Sequence, residues 1–165
     1  MTVRVSSQLS ARAAALHREA LVWDNHGCLP FENLGDWLPE LEQYRRGGVD
    51  VASINIGDAR LPLESLIRLA ADVRAYVKAH PDRYLLGTSV AALKQAKATG
   101  KLAIFFDVEG VFSIGEDLSL IELYYDIGVR WMLMVYNRRN LAGGGCHEEQ
   151  QDASREHLRG GAHRF

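Results

Sequence analysis

Cysteine is scarce in this chain: Cys28 and Cys146 are two residues in 165. Two thiols do not make the disulfide framework that staples small secreted domains, and the plain expectation is two reduced thiols in a cytoplasmic protein. An excess of charge of one sign is lacking too. Nineteen Lys and Arg stand against 21 Asp and Glu, a formal net charge of −2. That gives no electrostatic footprint for nucleic acid or an anionic membrane surface. No apolar stretch approaches the ~18–20 residues that span a bilayer, so no membrane segment is expected. The longest, Trp131 to Tyr136, has the length of a buried strand. The opening MTVRVSSQLSARAAALHREAL has no continuous apolar core of the secretory type, so no signal is expected there. No solenoid-type repeat is visible.

What is present is an ordinary globular composition, 47% apolar and 24% charged, on a chain long enough for one domain with a real core. Short apolar runs alternate with longer helical stretches. Ser7 is positioned to cap a helix to about residue 19, followed by ALVWDNHG as a strand ending at Gly27. LPELEQYRRGG reads as a short helix closed by glycines, and VDVASINIG, residues 49–57, as a second strand. Pro62 starts a helix to about Ala79, HPDRY is a turn, and Thr88 or Ser89 caps a helix that Gly100 closes. LAIFFDVEG, residues 102–110, is a strand apolar almost to its end, as expected of a parallel strand buried on both faces. Asp117 caps a helix to Ile127, and VRWMLMVYN, residues 129–137, is the fourth strand. Beyond it the text is polar and glycine-rich, read as loop with a weak helix around residues 149–159. Four strands separated by helices imply an α/β fold with a parallel sheet and right-handed crossovers.

Polar residues collect where strands end, which is where sites are built in α/β sheets and barrels. Asp24, His26 and Cys28 occupy alternate positions, so a regular strand puts all three on one face. A histidine beside an acid suits a metal shell, although a lone strand-end histidine is more often structural. Asp107 and Glu109 also alternate at the end of a buried strand, where a carboxylate needs a partner or a metal; either could be the ligand on this pattern. Cys28 has three readings: a soft ligand, a nucleophile activated by His26, or a small buried apolar residue. Tyr136 reads as core with a hydroxyl at the strand end. The GGG at 143–145 lacks the lysine and strand-to-helix context of a phosphate loop. His147, His157 and His163 read as solvated.

Together these stretches resemble the renal (membrane) dipeptidase family, zinc peptidases with a (β/α)8 TIM barrel of the amidohydrolase type. The family's first strand ends in Asp-x-His-x-Asp-Leu-Pro, matched by DNHGCLP at 24–30. Its Glu-Gly motif with a following Ser-Ile pair is matched by VEGVFSI at 108–114, and its Gly-x-Arg-aromatic strand entry by GVRWMLMVYN at 128–137. NRRNLAGGG loosely matches an Asn-x-x-Ala loop. The resemblance runs from about residue 10 to Ala153. It implies that the chain is the first four βα units, a half barrel over 1–153, with an aberrant polar tail at 154–165. It further implies His26 as a zinc ligand, Glu109 as the carboxylate bridging two zinc ions, and hydrolysis of a dipeptide.

Three departures accompany the resemblance. Cys28 stands where the family has a second acidic ligand, so that a thiolate would join the metal shell. Tyr136 stands where a substrate-contacting histidine is usual, and its phenol would donate to the developing oxyanion. The remaining histidine ligands belong to a second half of the barrel with no counterpart here, and SREHLRGGAHRF replaces the family's next helix start, as after a lost reading frame near Ser154. An unclosed half barrel is expected to self-associate through its free edge and to be weakly active or inactive alone. The competing readings are a cysteine-dependent hydrolase using Cys28 and His26, for which no orienting third group is evident in the sequence, and a non-catalytic open α/β binding module.

Overall fold

The computed structural model describes residues 7–58 and 61–148; the tail at 154–165, the possible helix at 149–159, His157 and His163 lie outside them. Helix α1 spans Ser7–Glu19 and leads into β1, Trp23–Gly27. Two short helices follow, α2 (Leu34–Trp37) and α3 (Leu41–Arg46), joined by a 3-10 turn at Leu38–Glu40. Then come β2 (Val51–Asn55), α4 (Leu63–Ala79), β3 (Tyr84–Leu86), α5 (Val90–Thr99), β4 (Leu102–Glu109), α6 (Leu120–Ile127) and β5 (Val129–Leu133). All pairings between these strands are parallel. This is the α/β pattern of a partial barrel.

β4 organises the sheet. β2 pairs along Ala103–Asp107 on one edge, whereas β3 pairs with Leu102–Ile104 and β5 with Phe106–Glu109. A strand has two edges, so β3 and β5 share the second one, end to end. The four strands expected from sequence are present, and β3 is a fifth, starting at Tyr84 within the stretch read as a turn. Three residues carry no periodicity of their own. β3 exists because Leu102–Ile104 offers it a partner.

Alternation sorts β4 into two faces. Leu102, Ile104, Phe106 and Val108 join the larger core with Leu66, Leu69, Ala70, Val73 and Val77 of α4. These α4 residues recur at helical spacing, and Pro62 precedes the helix in extended conformation, as its fixed φ favours. On the other face, Ala103 and Phe105 pack with Val51 of β2 and with Leu93 and Ala96 of α5. Ser89 caps α5 by accepting from the Ala92 amide, and Gly100 ends it with φ 66°. Above Phe105 the same face changes character and carries Asp107 and Glu109.

Two strand ends differ from the alternating pattern. β1 shifts register between Asp24 and Gly27, a bulge that takes in Asn25 and His26. β5 stops at Leu133 rather than at Asn137, because Leu133 pairs with Glu109, the last residue of β4. Beyond it Gly110 turns away with φ 89°, a region costly to other residues, and among the described residues Met134–Asn137 pair with no strand. Instead the Tyr136 and Asn137 carbonyls accept from the Cys146 and His147 amides, folding the glycine-rich loop back over this end.

Candidate metal centre

The carboxyl ends of β1, β2 and β4 meet at His26. The bulge turns its imidazole toward β4, where one ring nitrogen, Nδ1, lies 2.9 Å from Asp107 Oδ1. The other, Nε2, lies 3.1 Å from Glu109 Oε2 and 3.3 Å from Cys28 Sγ. Gly27 makes the approach possible: a Cβ there would stand 2.7 Å from the Tyr44 hydroxyl and 3.2 Å from the Ser53 carbonyl oxygen. Trp131 packs edge-on against the imidazole at 5.7 Å, and its indole N–H donates to the Asn25 carbonyl.

His26, Cys28 and Glu109 each offer one ligand atom, and these atoms lie within 4.8 Å of one another. The structure thus brings together three of the residues singled out from sequence. It separates the two carboxylates that the pattern could not rank. Glu109 faces the cleft, while Asp107 is fully buried behind His26. Asp24, expected on the same face, does not join the group. The bulge interrupts alternation, and its carboxylate accepts from the His26 amide at 3.1 Å.

β2 adds two polar side chains that sequence reasoning passed over. Ser53 donates to Asp107 Oδ2 at 2.5 Å and is fully buried. Asn55 accepts from the Gly57 amide through Oδ1, which fixes its amide so that Nδ2 faces Glu109 Oε2 at 3.4 Å and Cys28 Sγ at 3.8 Å. Their signal was in VASIN: two polar residues at alternate positions of a strand otherwise apolar.

Burial pushes the Asp107 carboxyl above its ordinary value, opposed by its hydrogen bonds from Ser53 and His26. The Cys28 thiol is also pushed up, first by burial and then by the nearby Glu109 and Asp107 charges, against a lowering by Asn55. A thiol raised in this way is a poor free nucleophile, since the thiolate is the reactive form. A cation bound among these donors would reverse the balance, because coordination deprotonates a thiol.

The donor set, imidazole nitrogen, thiol sulfur and carboxylate oxygen, fits a borderline divalent ion such as Zn2+. It opens onto a cleft of about 920 Å³ lined by Cys28, Asn55, Glu109, Tyr136, Arg138 and His147 among others. Tyr136 is half-exposed on the cleft wall rather than in the core. His147, read as solvated, is exposed but also lines the cleft.

An imidazole, a carboxylate and a sulfur converge at the carboxyl ends of parallel strands on a partial barrel, a group that could hold a metal ion. The chain belongs to the membrane dipeptidase family, peptidase family M19, whose model matches residues 10–161. Members of this metallopeptidase family are hydrolases acting on peptide bonds. The fold is similar to a crystal structure of an amidohydrolase from Pseudomonas aeruginosa, with 24% identity and TM-score 0.73, covering 82% of this chain and 40% of that one. It is similar to the probable dipeptidase PvdM from Pseudomonas aeruginosa, with 19% identity and TM-score 0.72, at the same coverage of 82% and 40%. A metallo peptidase from Rhodobacter sphaeroides, liganded with a phosphinate mimic of the dipeptide L-Ala-D-Ala, matches at 16% identity and TM-score 0.57, covering 72% of this chain and 46% of that one. The chain therefore spans less than half the length of these structures.

Proposed function

We propose that this chain carries the first-strand and Glu109 portion of a zinc dipeptidase site and that its reaction is hydrolysis of a dipeptide. The observation that carries the reading is the convergence of His26 Nε2, Cys28 Sγ and the Glu109 carboxylate. His26 and Cys28 would hold one ion, and Glu109 would hold it together with a second. When bound, such ions supply Lewis acidity at the peptide carbonyl and a water of lowered pKa. Asn55 keeps the Glu109 carboxylate aimed into the cleft. Tyr136 lines the same cleft, and its phenol would donate its hydrogen to the oxygen that gains charge as the carbonyl becomes tetrahedral.

Cobalt substitution tests the reading directly. Adding Co2+ to the metal-stripped chain should produce a thiolate-to-metal charge-transfer band that disappears in Cys28→Ser and weakens in Glu109→Gln. A chain that takes up no Co2+ or Zn2+ at micromolar concentration would refute it.

One observation favours a second reading. Cys28 Sγ lies 3.3 Å from one nitrogen of the His26 ring and Asp107 2.9 Å from the other, the order of a nucleophile, base and orienting acid. Asp107 is the third group that the sequence did not reveal. The raised thiol and the Glu109 oxygen contesting His26 Nε2 make the metal reading the stronger. Hydrolysis abolished by thiol alkylation yet indifferent to chelator would reverse that ranking.

A further inference from the structure

We propose that Asp107, braced by Ser53, is a positioning residue that locks His26 in the tautomer bearing its proton on Nδ1, so that the Nε2 lone pair faces the cleft. The inference deepens the metal reading and rests on it for its use, although the tautomer is set by the chain's own hydrogen bonds.

A neutral imidazole has one donor nitrogen and one acceptor nitrogen. Here each of them faces a carboxylate: Asp107 Oδ1 at 2.9 Å from Nδ1 and Glu109 Oε2 at 3.1 Å from Nε2. A carboxylate accepts, so the two compete for a single N–H. If Glu109 won, the proton would sit on Nε2 and block the nitrogen that shares the cleft with Cys28.

Three features decide the contest for Asp107. Its side chain is fully buried, whereas that of Glu109 is 17% exposed, and a hydrogen bond strengthens as water is excluded. Ser53 donates to Oδ2 and pins the carboxyl so that Oδ1 is aimed at the ring. Glu109 has a second donor in Asn55, so it does not depend on the imidazole, whereas Oδ1 of Asp107 has His26. The bulge in β1 supplies the matching geometry from the other side. A carboxylate behind a ligating histidine is a general device for orienting the ring and raising its basicity. Here it is built from two residues outside the candidate cluster: Ser53 of β2 and Asp107 of β4.

Two readouts test the role. In the 15N-labelled, metal-free chain, long-range proton–nitrogen correlation spectra report which ring nitrogen of His26 is protonated, with His26→Gln used for assignment. Protonated Nδ1 is expected in the parent chain and in Asp107→Asn, whose amide oxygen still accepts. Asp107→Leu should move the proton to Nε2 and weaken Zn2+ binding, measured by chelator competition, by about 10–100-fold. Protonated Nε2 in the parent chain, or an unchanged tautomer in Asp107→Leu, would overturn the proposal.

If Asp107→Leu does not fold, Ser53→Ala decides. A mixed tautomer with weaker zinc binding supports the positioning role, and two unchanged readouts sink it. Failure of the metal reading is distinguishable: a parent chain that shows the Nδ1 proton but binds no zinc leaves the tautomer lock standing. Tight zinc binding with the proton on Nε2 of the metal-free ring sinks the lock alone.

Discussion

One face of one pair of strands is used in two different ways. Its lower part, Val51, Ala103 and Phe105, is apolar and sealed by Leu93 and Ala96 of α5. Its upper part, Ser53, Asn55, Asp107 and Glu109, follows at the same spacing of two residues and carries a hydrogen-bonded polar network. The backbone pairing continues through both without interruption from Val51 to Asn55. The side chains alone make one half a source of stability and the other a site. Burying the upper half is costly unless every polar atom finds a partner, and Ser53, Asn55 and Asp107 each have one.

The division can be broken from either end. The largest effect is expected from Phe105→Ala in the lower half. It removes a ring that is 2% exposed and packed edge-on against Trp23, and it should lower stability by about 3–5 kcal/mol in urea unfolding. The upper half should respond to ligand instead. Zn2+ at about 100 times its dissociation constant should raise stability by roughly 2.7 kcal/mol, an increment that a chelator removes and that His26→Ala lacks from the start. A smaller effect is expected for Asn55→Ala. It frees the Gly57 amide and the Glu109 carboxylate, and should cost about 1 kcal/mol with a several-fold loss of zinc affinity in the same competition assay. If Phe105→Ala abolished zinc binding while the domain remained folded, the two halves would not be separable as described.

A fourth expectation concerns the edges. Among the described residues β1 pairs only with β2, and β5 only with β4. Trp23, Leu118 and Tyr125 are exposed nearby in the chain. Light scattering should show self-association that grows with protein concentration. A sharp monomer at high concentration would count against it.

The sequence made most of the fold legible where local chemistry and burial agree. β4 announces itself because an apolar run ends in two acids, and α4 because Leu66, Ala70, Val73 and Val77 share a stripe. His26, Cys28 and Glu109 were legible as polar residues at strand ends, and the structure brings them together. What escaped depends on distant partners. β3 is three residues whose strand character comes from β4. The bulge that displaces Asp24 is a property of two strands in register, not of either alone. Asp107 behind His26 joins residues 81 positions apart, so no local pattern could choose between it and Glu109.

The double use of one edge of β4 also ties that strand to the rest of the unit. β4 cannot complete its hydrogen bonds until β2, β3 and β5 have all arrived, so its amides report the assembly of the whole unit. Its N–H groups answer carbonyls from three places: Leu102 to Arg83, Phe106 to Gly128 and Glu109 to Gly57. In hydrogen exchange these amides should be the last to open, through the global unfolding event. Asp107 and Glu109 ride on that strand, so these two carboxylates should keep their places until the domain itself comes apart.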